Sequence, residues 1–408
     1  MGWSTRWAPT TAELSSCVEC GLCLPHCPTF RLTGDETASP RGRLNAMSAV
    51  AAGLMEVDEA FDEVMSFCLQ CCACEAACPS LVPFGRAMEG ARAEVRAARP
   101  RGRRFRTRAL GRWVGRRRVV GVASFGAAVA QRVGGWVIPR RLRSGFAGLR
   151  SLPLRRSRIV GYESTGGGET VGLLAGCVMD PWFGGVHDAT ITLLEAAGYR
   201  VVVPNSQTCC GALAAHEGAA DDAARMAAIN ARVFAAVDHV VANAAGCSAH
   251  LAGYAHWGAP EVADRAVDAL QLVAAAISDG RLPTLEPTAE RVGVQDPCHH
   301  RHGLRVTDEP RAVLFAAGYR PVDVDPAGMC CGAAGVYSVL RPETSAELGK
   351  AKASEVEAID CSIVASANPG CEMQLRSHVD VSIRVAHPLE LYAEAVALAG
   401  ANQGTFDE

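Results

Sequence analysis

Apolar and polar positions follow three rhythms along this chain. From about residue 170 onward, short apolar runs of strand length alternate with helical stretches. Positions 171–174, 200–203 and 239–242 read as strands. Between them Val186, Thr190, Leu193, Leu194 and Ala197 share one helical face, as do Met226, Ile229, Val233 and Val237. The order returns further on, with strands at 292–294 and 362–365. Strands separated by helices imply parallel sheets with helices packed on their faces. The first hundred residues read differently. After Pro40, Leu44, Met47, Ser48, Val50 and Leu54 recur near helical spacing, and Phe61, Val64, Met65 and Phe67 do so again. Between these regions, residues 95–162 alternate arginine clusters with apolar stretches such as 119–130. Gln131 and Arg132 cut that stretch well short of the roughly 18 to 20 residues a bilayer span needs.

Composition sets the scale of this picture, and charge adds to it. At 408 residues the chain has room for two or three units, and 49% apolar against 20% charged residues is the balance of a soluble globular protein. No basic start, apolar run and small-residue cleavage site opens the chain, so a reducing, cytoplasmic setting is expected. The net charge of −3 conceals 19 arginines from Arg96 to Arg158, with no acidic residue between Glu94 and Glu163. That segment reads as a linker or as a face docking an acidic partner. Trp113 and Trp136 among the arginines also suit peripheral contact with anionic lipid on the inner face of the cell membrane. No base-reading module accompanies it, so nucleic acid is not an expected partner. Gly166 to Gly168 mark a flexible joint into the next domain.

Cysteine is the abnormal residue, 18 of 408. Adjacent pairs at Cys209-Cys210 and Cys330-Cys331 do not suit a disulfide framework, and thiols in a reducing compartment serve metals or redox chemistry. Cys17, Cys20, Cys23 and Cys27 precede Pro28, and Cys68, Cys71, Cys74 and Cys78 precede Pro79, giving C-x2-C-x2-C-x3-C-P twice. Three thiolates on one tight loop can grip three irons of a cube, while the fourth is carried away before the proline. In two-cluster ferredoxins that fourth cysteine serves the other cluster. The expected sets are therefore Cys17, Cys20, Cys23 and Cys78 around one [4Fe-4S] cluster, and Cys68, Cys71, Cys74 and Cys27 around the other. Zinc competes for such thiolates, but it usually takes two separated C-x2-C pairs. Cys72, extra in the second run, is expected to pack beside the cluster.

The α/β region repeats itself. Cys177, Cys209-Cys210-Gly211 and Cys247 return as Cys298, Cys330-Cys331-Gly332 and Cys371, offset by 121, 121 and 124 residues. The stretch from Leu194 to Tyr199 returns as Leu314 to Tyr319, so the region is a duplication. Cysteines at strand ends gather on the sheet edge where open α/β sheets bind ligands. Each quartet (Cys177, Cys209, Cys210, Cys247; Cys298, Cys330, Cys331, Cys371) is a candidate for a further iron–sulfur cluster, for redox-active thiols, or for packing alone. The glycine after each pair lets the backbone pass close to a cluster. His250, three residues after Cys247, is a candidate ligand or an ordinary surface or core histidine. His299, His300 and His302 read as surface histidines, or at most as donors to ligands or proton carriers.

With these residues in view, the chain resembles the iron–sulfur subunits of glycolate oxidase (glycolate dehydrogenase), and more broadly proteins joining a ferredoxin module to two Cys-Cys-Gly domains. The resemblance is carried by the two cluster runs, Ser39-Pro40-Arg41-Gly42-Arg43, Gly176-Cys177-Val178, Gly246-Cys247, Asp296-Pro297-Cys298 and Met329-Cys330-Cys331-Gly332. It implies an α/β chain with an N-terminal all-α domain. A helical two-cluster ferredoxin domain would span 1–98, an arginine-rich linker or docking segment 99–168, and duplicated Cys-Cys-Gly domains with parallel sheets 169–288 and 289–408. Heterodisulfide reductase, the anaerobic glycerol-3-phosphate dehydrogenase subunit and lactate-utilisation iron–sulfur subunits share the architecture and are the alternative reading. In heterodisulfide reductase the Cys-Cys-Gly domains end in C-x2-C; here those last positions are His250 and Gln374, a departure that weighs against disulfide chemistry.

Oxidation of a 2-hydroxy acid needs a hydride acceptor such as a flavin, and no G-x-G-x-x-G loop follows a strand in this chain. The resemblance therefore implies FAD on a partner dehydrogenase subunit that oxidises glycolate to glyoxylate. Electrons would pass through this chain's clusters to a quinone or another carrier. The chain is expected to be an oxidoreductase subunit with no catalytic residue of its own, inactive alone.

Overall fold

A computed structural model describes residues 2–99 and 159–404, with scattered positions between 124 and 152. The arginine-rich segment, with its linker, docking and lipid readings, lies almost entirely outside the described residues.

The N-terminal module is helical, with α1 (Thr11–Ser15), α2 (Pro28–Thr33), α3 (Pro40–Ala51), α4 (Glu59–Ser66), α5 (Ala73–Ala76) and α6 (Phe84–Ala98). Local chemistry starts these helices. Pro40 takes the first position of α3, and the Ser39 hydroxyl accepts from Gly42 N at 2.9 Å. Asp58 caps α4 by accepting from Phe61 N at 2.9 Å. The apolar faces meet in a core of Leu44, Met47, Val50, Phe61, Met65 and Met88. Leu54, which continues the α3 rhythm in the sequence, lies beyond that helix and is 84% exposed.

Two four-stranded sheets come next, all pairs parallel. β1 (Thr170–Leu173), β2 (Arg200–Val202), β3 (His239–Ala242) and β4 (Ala266–Asp268) run in the order β2-β1-β3-β4. β5 (Arg291–Gln295), β6 (Arg320–Asp323), β7 (Ile363–Ser366) and β8 (Arg384–Ala386) repeat it as β6-β5-β7-β8. Equivalent registers recur, with Val171 opposite Val201 and Gly172 opposite Val240, then Val292 opposite Pro321 and Gly293 opposite Val364. The edge strands β4 (Ala-Val-Asp) and β8 (Arg-Val-Ala) are absent from the sequence reading, because neither offers a run of apolar residues of strand length.

Helices pack across the two copies. Helix Gly184–Ala196 of the first packs on the C-terminal helix Pro388–Gly404, and helix Ala269–Ser278 packs on Asp308–Ala316 of the second. Leu194, Leu272, Val313 and Tyr392 thus share one core. Between the copies, the buried Asp268 carboxylate accepts from Ser248 Oγ at 2.6 Å and lies 2.9 Å from His300 Nε2.

The helical module docks on both copies. From α6, the Arg92 guanidinium donates to the carbonyls of Cys68 (2.5 Å), Met65 (3.0 Å) and His216 (2.7 Å), tying the second cysteine loop to the first copy. Arg341 of the second copy pairs with Glu63 at 2.5 Å, and Tyr337 Oη donates to Phe67 O at 3.2 Å. Among the described residues, no helix is long and apolar enough to cross a membrane.

Candidate functional site

After α1 the chain coils tightly, with Glu19 and Gly21 at φ of 55° and 80°. Cys17, Cys20 and Cys23 thereby line one pocket, together with Cys78 and Pro79 from beyond α5 and with Pro40, Leu44, Val82 and Phe84 beneath. Cys20 is exposed at its mouth, beside Val18 and Leu22, which are 68% and 56% exposed. A second, deeper pocket is lined by Cys27, Cys68, Cys71, Cys72 and Cys74, with Thr29, Arg43 and Gln70. All of these cysteines but Cys72 are buried, and Cys74 borders both pockets. The structure thus brings Cys78 to the first run and Cys27 to the second. Cys72 takes a left-handed conformation (φ 61°) with its Sγ 3.7 Å from Gln70 O.

All 18 cysteines are free. Burial pushes the Cys71 and Cys74 thiols well above their ordinary range. Such thiols give up their protons when a metal replaces them, so buried sulfurs around two pockets fit the donor set of iron–sulfur clusters. Among the described residues no three His, Cys, Asp or Glu side chains are arranged to hold a single ion. The sulfurs surround volumes, which suits a cube better than a lone zinc. Sequence reasoning missed Arg43 as a functional group. It is fully buried, donates to Val64 O at 3.0 Å and Thr29 Oγ1 at 3.1 Å, and sets Nη1 3.9 Å from Cys27 Sγ. A cation there offsets the negative charge that thiolate ligands bring into a buried site.

The first quartet gathers beyond the carboxyl ends of β1, β2 and β3. Cys209 Sγ lies 3.5 Å from Cys177 Sγ, and Cys210 Sγ lies 3.4 Å from Cys247 Sγ. The turn is clamped from behind: Asn230 Nδ2 donates to Cys209 O at 3.1 Å, and Tyr254 Oη to Cys210 O at 2.5 Å. Hydrogen bonds from Cys177 and Cys210 hold the Cys209 thiol well below its ordinary range. His250 sits one turn after Cys247 on helix Ala245–Ala252, only 8% exposed, and its Nε2 has no hydrogen-bond partner. Burial pushes the imidazole down to about 4, so the ring is neutral.

The second quartet is built the same way, with Cys331 Sγ 3.2 Å from Cys371 Sγ. Hydrogen bonding to Cys330, with burial, pushes the Cys298 thiol well above its ordinary range. Gln374, at the position of His250, donates from Nε2 to Ser345 O at 2.7 Å. Cys330 packs in one cluster with Leu69, Cys71 and Ala73 of the helical module, and Cys298 lies against it. The reading of the neighbouring histidines as surface groups is corrected. His299–Leu304 form a π-helical turn in which His300 is fully buried against Asp268. His302 Nε2 lies 3.1 Å from Gly328 O, and His299 stacks on His216 with ring centroids 5.6 Å apart. The first copy and the helical module close over this turn, a burial that one copy's own pattern cannot announce.

Interleaved cysteine runs ahead of a duplicated parallel-sheet unit define a class: iron–sulfur proteins that join a two-cluster module to tandem cysteine-rich domains. Accordingly, the family described as "4Fe-4S dicluster domain" matches residues 13–103, and "Cysteine-rich domain" matches 171–252 and 292–376. The chain is 34% identical to the "Probable glycolate oxidase iron-sulfur subunit" of Bacillus subtilis (strain 168), over 94% of each protein. It is 27% identical to the "Glycolate oxidase iron-sulfur subunit" of Escherichia coli (strain K12), over 97% of each. "Lactate utilization protein A" of Geobacillus thermodenitrificans is 29% identical over 54% of this chain and 97% of its own length. The chain belongs to the family of glycolate oxidase iron–sulfur subunits.

Proposed function

We propose that this chain is the electron-relay subunit of a flavin-linked 2-hydroxy acid dehydrogenase that oxidises glycolate to glyoxylate and delivers electrons to a quinone or another carrier. One observation carries the reading: the cysteine sites form an unbroken series. It starts at exposed Cys20, passes through Cys74, which borders both pockets, and reaches Cys71, which packs against Cys330 and Cys298. In this reading Cys17, Cys20, Cys23 and Cys78 hold one [4Fe-4S] cluster, and Cys68, Cys71, Cys74 and Cys27 hold the other. Bound there, the clusters would supply one-electron transfer. The chain's own residues hold them, exclude water, and in Arg43 place a compensating charge. The FAD belongs to a partner subunit, which docks where Val18 and Leu22 surround the mouth at Cys20. The site of work is the cytoplasm, with peripheral contact to the inner membrane face where a quinone is the acceptor.

Glycolate is preferred over lactate because similarity to the glycolate oxidase subunits runs nearly end to end, whereas the lactate-utilisation protein matches about half the chain. The test uses the complex purified anaerobically with its flavin subunit. Glycolate should reduce the N-terminal clusters, monitored by electron paramagnetic resonance, faster than lactate does. Clusters that stay oxidised under glycolate while dithionite reduces them would refute the reading.

A further inference from the structure

We infer that His250 is a metal-facing donor: its Nε2 joins the sulfurs of Cys177, Cys209, Cys210 and Cys247 in a five-donor iron–sulfur site that the second copy does not reproduce. This rests on reading the chain as an iron–sulfur relay, and is independent of which acid is oxidised.

A buried nitrogen with no partner is costly, and native proteins rarely leave one without a reason. His250 Nε2 is such an atom. Its neighbours are occupied elsewhere. Asn230 is committed to Cys209 O and the Tyr254 hydroxyl, and that hydroxyl is committed to Cys210 O. The ring is held between Tyr254, edge-on at 5.6 Å between centroids, and Trp257, also at 5.6 Å. Cys247 and His250 are three residues apart on one helix, so their side chains share a face.

Gly211 shows where the nitrogen is aimed. A Cβ built on that residue would lie 3.2 Å from His250 Nε2. The imidazole therefore abuts the Cys-Cys-Gly turn itself, and only the missing side chain keeps the space between them open. An imidazole nitrogen aimed at the turn that carries Cys209 and Cys210, and close enough to Cys209 to feel its charge, is an ordinary donor to iron, and mixed thiolate–imidazole ligation of iron–sulfur centres is chemically established.

The second copy makes the contrast from within the same molecule. Gln374 stands where His250 stands, but its Nε2 is taken up by Ser345 O at 2.7 Å and Ser345 Oγ at 3.2 Å. That nitrogen is an amide donor with no lone pair to offer a metal. At the position of His250, therefore, the second quartet has no nitrogen lone pair; its neighbouring ring nitrogen, His299 Nδ1, lies 3.7 Å from Cys298 Sγ and comes from a different element.

The test takes the full complex from cells grown on histidine labelled with heavy nitrogen. Pulsed electron paramagnetic resonance is run at each point of a reductive titration, with iron and sulfide measured on the same samples. A directly bonded histidine nitrogen coupling is expected in the wild-type protein. In His250→Gln it should vanish, with the loss of one cluster's iron and sulfide, while the signals of the N-terminal clusters persist. No such coupling at any potential in fully loaded wild-type protein would overturn the inference, whatever the variant's folding. A coupling that survives His250→Gln would overturn it equally. Absent coupling with normal glycolate-driven reduction sinks this inference alone; present coupling with no response to glycolate sinks only the proposed substrate.

Discussion

The two cysteine-rich copies share strand order, sheet register and a Cys-Cys-Gly turn, yet they differ in what stands over that turn. In the first, a buried imidazole faces Gly211 with a free nitrogen. In the second, Gln374 is locked to Ser345, whose hydroxyl in turn donates to Gly332 O at 2.9 Å. They also differ in their neighbours. Cys298 and Cys330 pack against Cys71, whereas the first copy meets the helical module through Arg92, His216 and Glu89. Duplication has kept the scaffold, whose parallel ladders tolerate no register error, and released the residues above the turn. On the proposed reading, one copy continues the N-terminal relay and the other is a site with its own donor.

The contact that binds the copies together is the place to break this comparison most severely. Burial alone would raise the Asp268 carboxyl, yet the His300 ring and the Ser248 hydroxyl hold it below the ordinary carboxylate range. Removing it leaves His300 Nε2 without its partner in the interior and uncaps Leu270 N, while Ser248 keeps only Ala242 O at 3.2 Å. Asp268→Ala should therefore cost about 3–5 kcal/mol in denaturant unfolding, the scale for removing one member of a buried contact built on an ionised group. A loss under about 1 kcal/mol, the range of exposed pairs, would show that the copies do not depend on this link.

A matched pair of substitutions sharpens the difference at the turns. Gly211 and Gly332 both have left-handed backbone, at φ of 102° and 87°, so alanine costs about 1–2 kcal/mol at either. The surroundings then diverge. At 332 the new methyl meets Ser345 O at 2.8 Å and the Leu348 Cβ at 2.9 Å, which cannot withdraw without moving the helix Pro342–Ala358. Overpacking of that kind adds about 1–3 kcal/mol. At 211 the nearest atom is the His250 ring nitrogen, a side-chain tip. Gly332→Ala should thus lower stability more, and Gly211→Ala should chiefly disturb the metal content of the first quartet. Thermal unfolding with iron assay reads both; the reverse order of stabilities would contradict the packing described.

Much of this was legible in the sequence, and what was not has a common cause. The cysteine runs are local patterns, so their loops could be read directly, and the alternation of strands and helices was enough for parallel sheets. The expectation that Cys78 joins the first run came from the two-cluster ferredoxin pattern, and Cys78 does line the same pocket as Cys17, Cys20 and Cys23. Arg43 stood in a stretch that carried the resemblance, but its role was not legible there, and nothing in the sequence signalled Arg92 or His216, because each gains its role from a surface brought to it from elsewhere in the chain. His300 misled for the same reason, and His250 stayed a candidate ligand beside its ordinary readings: a helix rhythm shows which side chains share a face, not that a glycine 39 positions earlier leaves room opposite.

The smallest effect concerns how differently the helical module meets the two copies. On the second copy it relies on Arg341 and Glu63, an exposed pair whose carboxyl the guanidinium holds below its ordinary range. On the first it buries Glu89, which is 16% exposed and lies 3.8 Å from His216 Nε2. Burial raises Glu89 to about 8, with Arg92 opposing and Glu75 reinforcing the shift, and Cys72 also feels its charge. Burial also pushes His216 well below its ordinary range, so near neutrality both partners are uncharged. A carboxyl whose folded pKa is raised contributes stability that is complete below its unfolded pKa and is lost as pH rises toward about 8. The depressed histidine works in the opposite sense, and its contribution is lost only as pH falls below its unfolded value of about 6.5. Between about pH 6.5 and 8 the carboxyl acts alone, at no more than about 1.4 kcal/mol per pH unit. Glu89→Gln should flatten the decline of unfolding free energy across that window, while Arg341→Gln, at the second-copy contact, should leave its slope unchanged. An equal decline in wild type and Glu89→Gln would mean that the first-copy contact is no more sensitive to pH than the second.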